Sequence, residues 1–456
     1  MQTSVSHQLI AKYNVPAPRY TSYPTVPYWE QSPTEEEWKS HVAATFSASN
    51  LSDGISLYIH LPYCESLCTY CACNTRITVN HAVEKPYINA LLKEWDMYLE
   101  VFGDTPKIRE LHLGGGTPTF FSAVHLKELI EGILKKSKVC SDAEFSFEAH
   151  PANTTHEHLQ TLYNLGFRRV SFGIQDFDDA VQDMINRFQT IEQVKAVVDD
   201  AREIGYTSVN FDLVYGLPLQ TVETMQHTIE LVNTIRPERI AFYSYAHVPW
   251  MKPGQRKFSE RHLPADEEKR RLYELGKNRF LESGYEEIGM DHFALPGDAL
   301  SQSMHDGSLH RNFMGYASHS TRLLIGLGTS SISDTWTAFG QNEKTVEAYI
   351  ERVQSGHLPV IRGHILTHED LVLRRHILNL MCLGETSWEK PDQQCEFLHD
   401  IAERLEEPYN DGLIEMEPYS LKVTQTGRAF LRNICMSFDA RYQRRIPEAR
   451  IFSTSV

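Results

Sequence analysis

The stretch YIHLPYCESLCTYCACN, Tyr58 to Asn74, holds four of the chain's eight cysteines, Cys64, Cys68, Cys71 and Cys73. It begins inside an apolar run, Ile55–His60, that reads as a β-strand, so the thiols stand at a strand's carboxyl end. Cys64, Cys68 and Cys71 are spaced C-x3-C-x2-C. A zinc knuckle or ribbon more often carries two separated C-x2-C pairs or includes histidine, and a thioredoxin-like redox site needs one C-x2-C. A structural zinc held by all four cysteines stays open on spacing alone. Three closely spaced thiolates also suit three corners of a [4Fe–4S] cube, which leaves the fourth iron free to take an outside ligand.

Outward from this stretch, short apolar, β-branched or aromatic runs alternate with amphipathic helical segments. The expected strands are Ile55–His60, Ile108–Leu113, Ala143–Glu148, Arg169–Ile174, Thr207–Val214 and Arg239–Tyr245. The expected helices are Val83–Glu100, Ala123–Lys136, Asp178–Ile204, Thr221–Ile235 and Ala265–Ser283, the last ending at Gly284. Six strand–helix units in series imply a parallel sheet with right-handed crossovers, open or closed into a barrel. The cysteines, the GGGTPT run, Glu148, Gln175-Asp176 and Asp212 all fall at strand carboxyl ends. Barrels build their sites there, whereas an open sheet concentrates its site at one switch point. The expected fold is therefore α/β, a full or partial (β/α)6 barrel. Residues 1–50 read as an irregular aromatic strap and residues 51–361 as the catalytic domain. Residues 362–456 read as a smaller, mostly helical domain with a hairpin, similar in pattern to a winged helix. In that last domain Thr367 is expected to cap a helix with Asp370 at N3, and further helices are expected over 394–405 and 426–435.

The chain has 456 residues, 41% of them hydrophobic, and a formal net charge of −16. No apolar run approaches the roughly 18 residues of a membrane span, and the first residues lack a signal-peptide layout. A cytoplasmic protein with reduced thiols is expected, without membrane or nucleic-acid partners, because an acidic surface repels both polyanions. An anionic small ligand would need a local cluster of cations or backbone N–H groups. Cys140, Cys382, Cys395 and Cys435 are scattered and read as buried, inert thiols.

C-x3-C-x-[aromatic]-C after a first barrel strand, with Tyr70 in the aromatic slot, resembles the radical S-adenosylmethionine (SAM) superfamily. The chain resembles more closely the oxygen-independent coproporphyrinogen III oxidases (coproporphyrinogen dehydrogenases, HemN-type) of that superfamily. PRYTSYPT, LHLGGGTPT, FGIQDF, NFDLVYGLP, YAHVPW, MDHFALP, NFMGYASH and GLGTSSIS carry the likeness together with the cysteine stretch. Cys73 and PRYTSYPT are the specific marks, which related haem chaperones usually lack.

The resemblance implies that Cys64, Cys68 and Cys71 hold the cluster, while Cys73 acts in catalysis without ligating iron. Tyr58 and His60 share a strand face and are implied catalytic residues, Tyr58 also touching SAM; barrel filling is the bland alternative. Tyr70 would lie against a bound adenosyl group. Gly115 and Glu148 would serve one SAM, Glu148 at a ribose hydroxyl, with Ile332 as a further contact. Gly116, Thr117, Gln175, Arg187, Asp212 and Ala246 would serve a second. Taken singly, the glycines read as a tight turn, Glu148 as a solvated carboxylate, Arg187 and Asp212 as a salt bridge or cap, and Ile332 as core. Arg19, Tyr20 and Tyr23 of the strap, with Arg311, are implied substrate contacts, Arg19 pairing with a carboxylate; His292, His310 and Asn312 are weaker candidates. For the strap, packing of aromatics on the barrel is the alternative.

The implied activity is anaerobic oxidative decarboxylation of two propionates of coproporphyrinogen III to vinyl groups, giving protoporphyrinogen IX. A 5′-deoxyadenosyl radical made from SAM at the cluster would start it. An electron donor such as flavodoxin or ferredoxin is implied, and a monomer is expected. A haem chaperone, a haem-degrading methyltransferase and a non-enzymatic zinc protein are the alternative readings.

Overall fold

The computed structural model describes residues 7–447 and 451–454. Its centre is six parallel strands lying side by side in chain order: β1 (Ile55–Leu61), β2 (Lys107–Gly115), β3 (Lys138–Ala149), β4 (Arg169–Gln175), β5 (Ser208–Tyr215) and β6 (Arg239–Ser244). The crossovers are α1 (Glu84–Phe102), α2 (Ala123–Leu134), α3 (His156–Asn164), α4 (Ile191–Ile204) and α5 (Val222–Ile235), and α6 (Asp266–Glu282) follows β6. Every residue of β1 is buried, as expected of a parallel strand covered on both faces. Gly284, beyond α6, takes φ +87.

The sheet runs further than six strands. Leu324–Leu327 pairs parallel to β1, and Ile332–Asp334, Ala338–Asn342 and Val360–Ile365 continue it antiparallel. Beyond β6, His292–Ala294 and Glu286–Gly289 add an antiparallel edge. The result is one twelve-stranded sheet whose outermost strands do not pair with each other, an incomplete barrel. The six added strands have three to six residues, too few for a periodic signal.

Two helical expectations change. The segment 178–204 is two helices, Asp179–Ile185 and α4, because Asn186 turns left-handed (φ 54) and Thr190 caps a new start with Gln193. The helix α3 was not anticipated; Thr155 caps it. Near the carboxyl terminus, His368–Leu383 starts at Thr367 with Asp370 completing the capping box. The segment expected to be helical over 394–405 is a 3-10 turn leading into Ile401–Asn410. The hairpin Ile414–Glu417/Ser420–Val423 gains Glu385–Ser387 as a third strand. No helix among the described residues is long and apolar enough to cross a membrane.

At the amino end of the strands the lumen is closed by charge. Glu144 of β3 meets Arg169 at 2.8 Å and Arg239 at 3.5 Å, and Arg239 also meets Asp298 at 2.7 Å. Burial alone would raise the Glu144 carboxyl, but the two guanidiniums outweigh it and hold it at about 2. A depressed carboxylate stabilises the fold above its unfolded pKa and loses that contribution as pH falls through its folded pKa. Glu144→Gln is therefore expected to cost roughly 3 kcal/mol at neutral pH. In urea melts, wild-type stability falls between pH 4.5 and about 2, and the variant flattens that limb; equal slopes would show that the pair is not what closes the lumen.

Candidate active site

The Cys64–Cys73 loop leaves β1 through Pro62 and is tied down along its length. Thr78 N–H donates to Cys64 O at 2.9 Å, and Cys71 N–H to Cys68 O at 3.1 Å. Thr69 donates through its N–H to Ile185 O and through its hydroxyl to Met184 O, both at 2.8 Å. Asn186 Nδ2 donates to Leu67 O at 2.8 Å, Gln255 Nε2 to Tyr70 O at 2.9 Å, and Lys252 Nζ to Cys73 O at 3.2 Å. Two distant segments, 184–187 and 252–255, thus set the loop's shape. The break that divides the expected long helix is what supplies Asn186 and Arg187.

The thiols of Cys64, Cys68, Cys71 and Cys73 line one cavity of about 280 Å³ at the carboxyl ends of the strands. Its opposite wall is Gly115, Gly116 and Thr117; Glu148, Gln175, Arg187 and Asp212 complete it, with Tyr70. All eight cysteines are free thiols. Among the described residues no three Cys, His, Asp or Glu side chains converge on a single metal-ion position. The thiols instead stand around a volume, which suits ligands to different corners of a cluster better than ligands to one zinc. Arg187 Nη1 donates to Cys68 Sγ at 3.7 Å, and the Thr117 hydroxyl lies 3.3 Å from Cys64 Sγ, so cation and polar groups face the sulfurs. The residues present fit a thiolate-bound cluster with one open side.

Backbone geometry explains the glycines. Gly115 has φ +112, and a Cβ there would lie 2.5 Å from the His60 ring; one on Gly116 would lie 2.7 Å from the Pro62 carbonyl carbon. Gly115 N–H donates to Glu148 Oε2 at 3.1 Å. Burial would raise the Glu148 carboxyl, but His112, 3.6 Å away, and the Gly115 N–H outweigh it and keep it below its ordinary value. Its side chain keeps 44% exposure to the cavity, so it is an ionised acceptor open to a ligand. Asp212 differs. Burial, aided by the charge of Glu148, pushes it up to about 6, although Ser171 and Asn210 each donate to it at 2.9 Å.

Beneath the rim, His60 Nε2 faces Asn74 O at 2.8 Å. A carbonyl only accepts, so Nε2 carries the proton; burial holds the ring neutral, and Nδ1 accepts from the Tyr58 hydroxyl at 3.0 Å. Ala246 lies outside the cavity wall, where its carbonyl accepts from Gln255 Nε2 at 3.3 Å, the same amide that holds Tyr70. Ile332 follows the turn after Leu324–Leu327, the strand whose Gly326 pairs with Tyr58. Gln255 is fully buried and joins the two loops from a short 3-10 helix, Pro253–Lys257, with no sequence signal; His112, Ser171 and Asn210 likewise carry no sequence signal.

The substrate candidates separate. Arg19 lines a larger lateral cavity of about 680 Å³ between the sheet edge and the carboxyl-terminal helices. It donates to Ser244 O at 3.0 Å and meets Asp291 at 3.5 Å. Tyr20 and Tyr23 are each 2% exposed and line neither cavity. They are part of a second core with Leu373, Ile377, Phe430 and Phe438, and the Tyr20 hydroxyl donates to Asp439 at 3.1 Å. Their packing is thus against the carboxyl-terminal helices rather than the barrel. His292 and Asn312 line a small lumen cavity of about 150 Å³, and His310 lines a separate cavity with Trp336 and Leu383. Arg311 is 5% exposed, with its guanidinium 4.5 Å from the centre of the Tyr316 ring. Its Nε and Nη1 have no hydrogen-bond partner among the described residues.

A parallel partial barrel with three cysteines on the loop after its first strand, facing a glycine rim, defines a radical SAM protein, and the Radical SAM superfamily profile matches residues 58–232. The oxygen-independent coproporphyrinogen III oxidase of Helicobacter pylori is 38% identical over 448 residues, covering 96% of this chain and 97% of the relative. That of Escherichia coli is 35% identical, covering 94% of each. The solved structure described as coproporphyrinogen III oxidase (HemN) from Escherichia coli, a radical SAM enzyme, superposes with a TM-score of 0.89 at 34% identity, covering 96% of this chain and all of that one. The chain belongs to the family of oxygen-independent coproporphyrinogen III oxidases, radical SAM oxidoreductases of porphyrin biosynthesis.

Proposed function

We propose that this chain converts coproporphyrinogen III to protoporphyrinogen IX by oxidative decarboxylation of two propionates, with a [4Fe–4S] cluster on Cys64, Cys68 and Cys71 and two SAM molecules. The observation that carries the reading is continuity. The thiol-lined cavity and the lumen cavity share Glu148, Ser171, Asp212 and Tyr243 as walls. A cluster held by Cys64, Cys68 and Cys71 would supply the one-electron reduction of SAM that starts hydrogen removal from a propionate β-carbon. The protein's part is placement. Glu148 accepts from a ribose hydroxyl, and Gly115 and Gly116, where a Cβ would collide with His60 and Pro62, let the rim backbone take the path that presents it to the ligand. Gln175, Arg187 and Asp212 face the second position, with Ala246 beside it. Cys73, on the cysteine loop, and the hydrogen-bonded Tyr58 and neutral His60 on β1, tied to that loop through Asn74 O, are the groups that can hold or pass a proton. Arg19 and Arg311 offset the repulsion between an acidic chain and a tetracarboxylate.

An anaerobic assay with dithionite, SAM and coproporphyrinogen III tests this. Vinyl-bearing products with loss of CO2 are expected. SAM cleavage without any vinyl formation would turn the reading toward a haem-handling member of the superfamily. Glu148→Ala is expected to leave iron content normal and weaken SAM binding about ten- to hundredfold, the worth of a hydrogen bond of about 1.5–3 kcal/mol to a charged group. Unchanged affinity in a calorimetric titration would return Glu148 to a role inside the barrel only.

A further inference from the structure

Resting on the radical SAM reading above, an electron must reach the thiol-lined cavity from outside, and the surface beside the cysteine loop has the make-up to receive its carrier. The segment Trp250–His262 carries Lys252, Arg256, Lys257 and Arg261 against a single carboxylate, Glu260, in a chain of net charge −16. None of these four cations forms a salt bridge among the described residues. Lys252 donates to Cys73 O, Arg256 to Pro249 O at 3.1 Å and Lys257 to Asp183 O at 2.7 Å, so three of them use carbonyls and keep their charge uncompensated.

Large apolar side chains stand exposed beside them: Trp250 at 54%, Met251 at 64%, Phe188 at 57% and Leu67 at 41%. These come from three segments that the cysteine loop itself ties together. Asn186 bonds Leu67 O, Lys257 bonds the 183 turn, and Leu67 packs beside Gly254, where a Cβ would lie 3.2 Å from its Cδ2. Leu67 directly precedes Cys68, and Phe188 directly follows Arg187, which donates to Cys68 Sγ. An exposed apolar centre with a cationic border suits a protein-docking surface, and Leu67 within it lines the thiol cavity.

We infer that this face, Leu67, Phe188 and Trp250 bordered by Arg256, Lys257 and Arg261, is the docking surface for an acidic one-electron carrier protein. One electron leaves the reduced centre of the carrier and reduces the cluster by one unit, with no bond made or broken. Opposite charge is what a chain of net charge −16 needs to bring such a carrier in. The position matters because electron tunnelling falls steeply with distance, and Leu67, exposed on this face, also lines the thiol cavity next to Cys68.

The test uses the reconstituted holoprotein, the triple variant Arg256→Glu/Lys257→Glu/Arg261→Glu and a second variant, Trp250→Ser/Phe188→Ser, with reduced flavodoxin as the acidic probe and dithionite as the small reductant. With dithionite, 5′-deoxyadenosine forms at the wild-type rate in all three. With flavodoxin at low ionic strength, stopped-flow bleaching of the cluster slows at least tenfold in the triple variant. The wild-type rate falls as salt is added, whereas that of the triple variant does not. Calorimetric association of oxidised flavodoxin weakens in both variants, a readout independent of turnover. Wild-type bleaching rates in the triple variant, a wild-type rate indifferent to salt, or a patch whose substitution alters only self-association of this chain would each overturn the inference. Failure of dithionite itself to drive SAM cleavage in the wild type would instead remove the radical SAM reading beneath it.

Discussion

Cys68→Ala is expected to lose most of its iron and all SAM cleavage, whereas Cys73→Ala keeps a brown, iron-loaded protein. Both residues line the same cavity, so proximity does not separate them. Their settings do. Cys68 lies within the turn that its carbonyl closes with Cys71 N–H, and its sulfur faces Arg187 at 3.7 Å, a cation placed to offset thiolate charge. Cys73 lies past that turn, exposed, its carbonyl held from outside by Lys252. A cube bound at three corners loses a third of its protein ligation when one thiolate goes, and a four-cysteine zinc site would lose metal equally from any of the four. Iron and sulfide quantification after anaerobic reconstitution, with zinc measured alongside, decides it. A colourless Cys73→Ala beside a single Cys64, Cys68 or Cys71 variant that keeps its iron would reverse the assignment.

Arg311→Met is expected to suppress vinyl formation about ten- to hundredfold while 5′-deoxyadenosine production continues and thermal stability does not fall. The reasoning starts from cost. A buried guanidinium with Nε and Nη1 unpartnered destabilises the fold, and an apolar side chain of similar length removes that penalty. A position that costs stability and meets no carboxylate among the described residues is one that awaits an acceptor, and the proposed substrate carries four carboxylates. A charge-assisted hydrogen bond of about 1.5–3 kcal/mol sets the size of the loss. Arg19→Ala, in the lateral cavity, is expected to act in the same direction while iron loading and SAM affinity stay at wild-type values. The discriminating readout is melting temperature beside product analysis. A variant that melts lower and still makes protoporphyrinogen at the full rate would show that Arg311 serves only to stack on Tyr316.

Much of the central fold was readable because its signals are local. Six strands, each carrying its own apolar run, and helices with a 3.6-residue period announce themselves within a window of ten or so residues, as at β1, where all seven positions are buried. The short strands flanking the six, and α3, gave no such window. The site was readable for the same reason in part: Cys64, Cys68, Cys71, Gly115, Glu148, Gln175 and Asp212 are marked by residue type at strand ends, and the fold brings all of them to one cavity. Gln255 was invisible, because a glutamine in a five-residue 3-10 helix carries no mark of the two carbonyls it joins, those of Tyr70 and Ala246.

What the amino-acid order determined by itself is the parallel strand–helix core and the three-thiol loop at the end of its first strand, since both follow from spacing along the chain. Tertiary structure alone decided which charges are answered and where the strap goes. Arg19 meets Asp291 across 272 residues, whereas two of the nitrogens of Arg311 meet no acceptor among the described residues. Tyr20 and Tyr23 pass the barrel to enter a core with Phe430 and Phe438. Pairing of this kind depends on which surfaces the folded chain brings within a few ångströms, and apolar burial is indifferent to sequence order, so no local pattern records it.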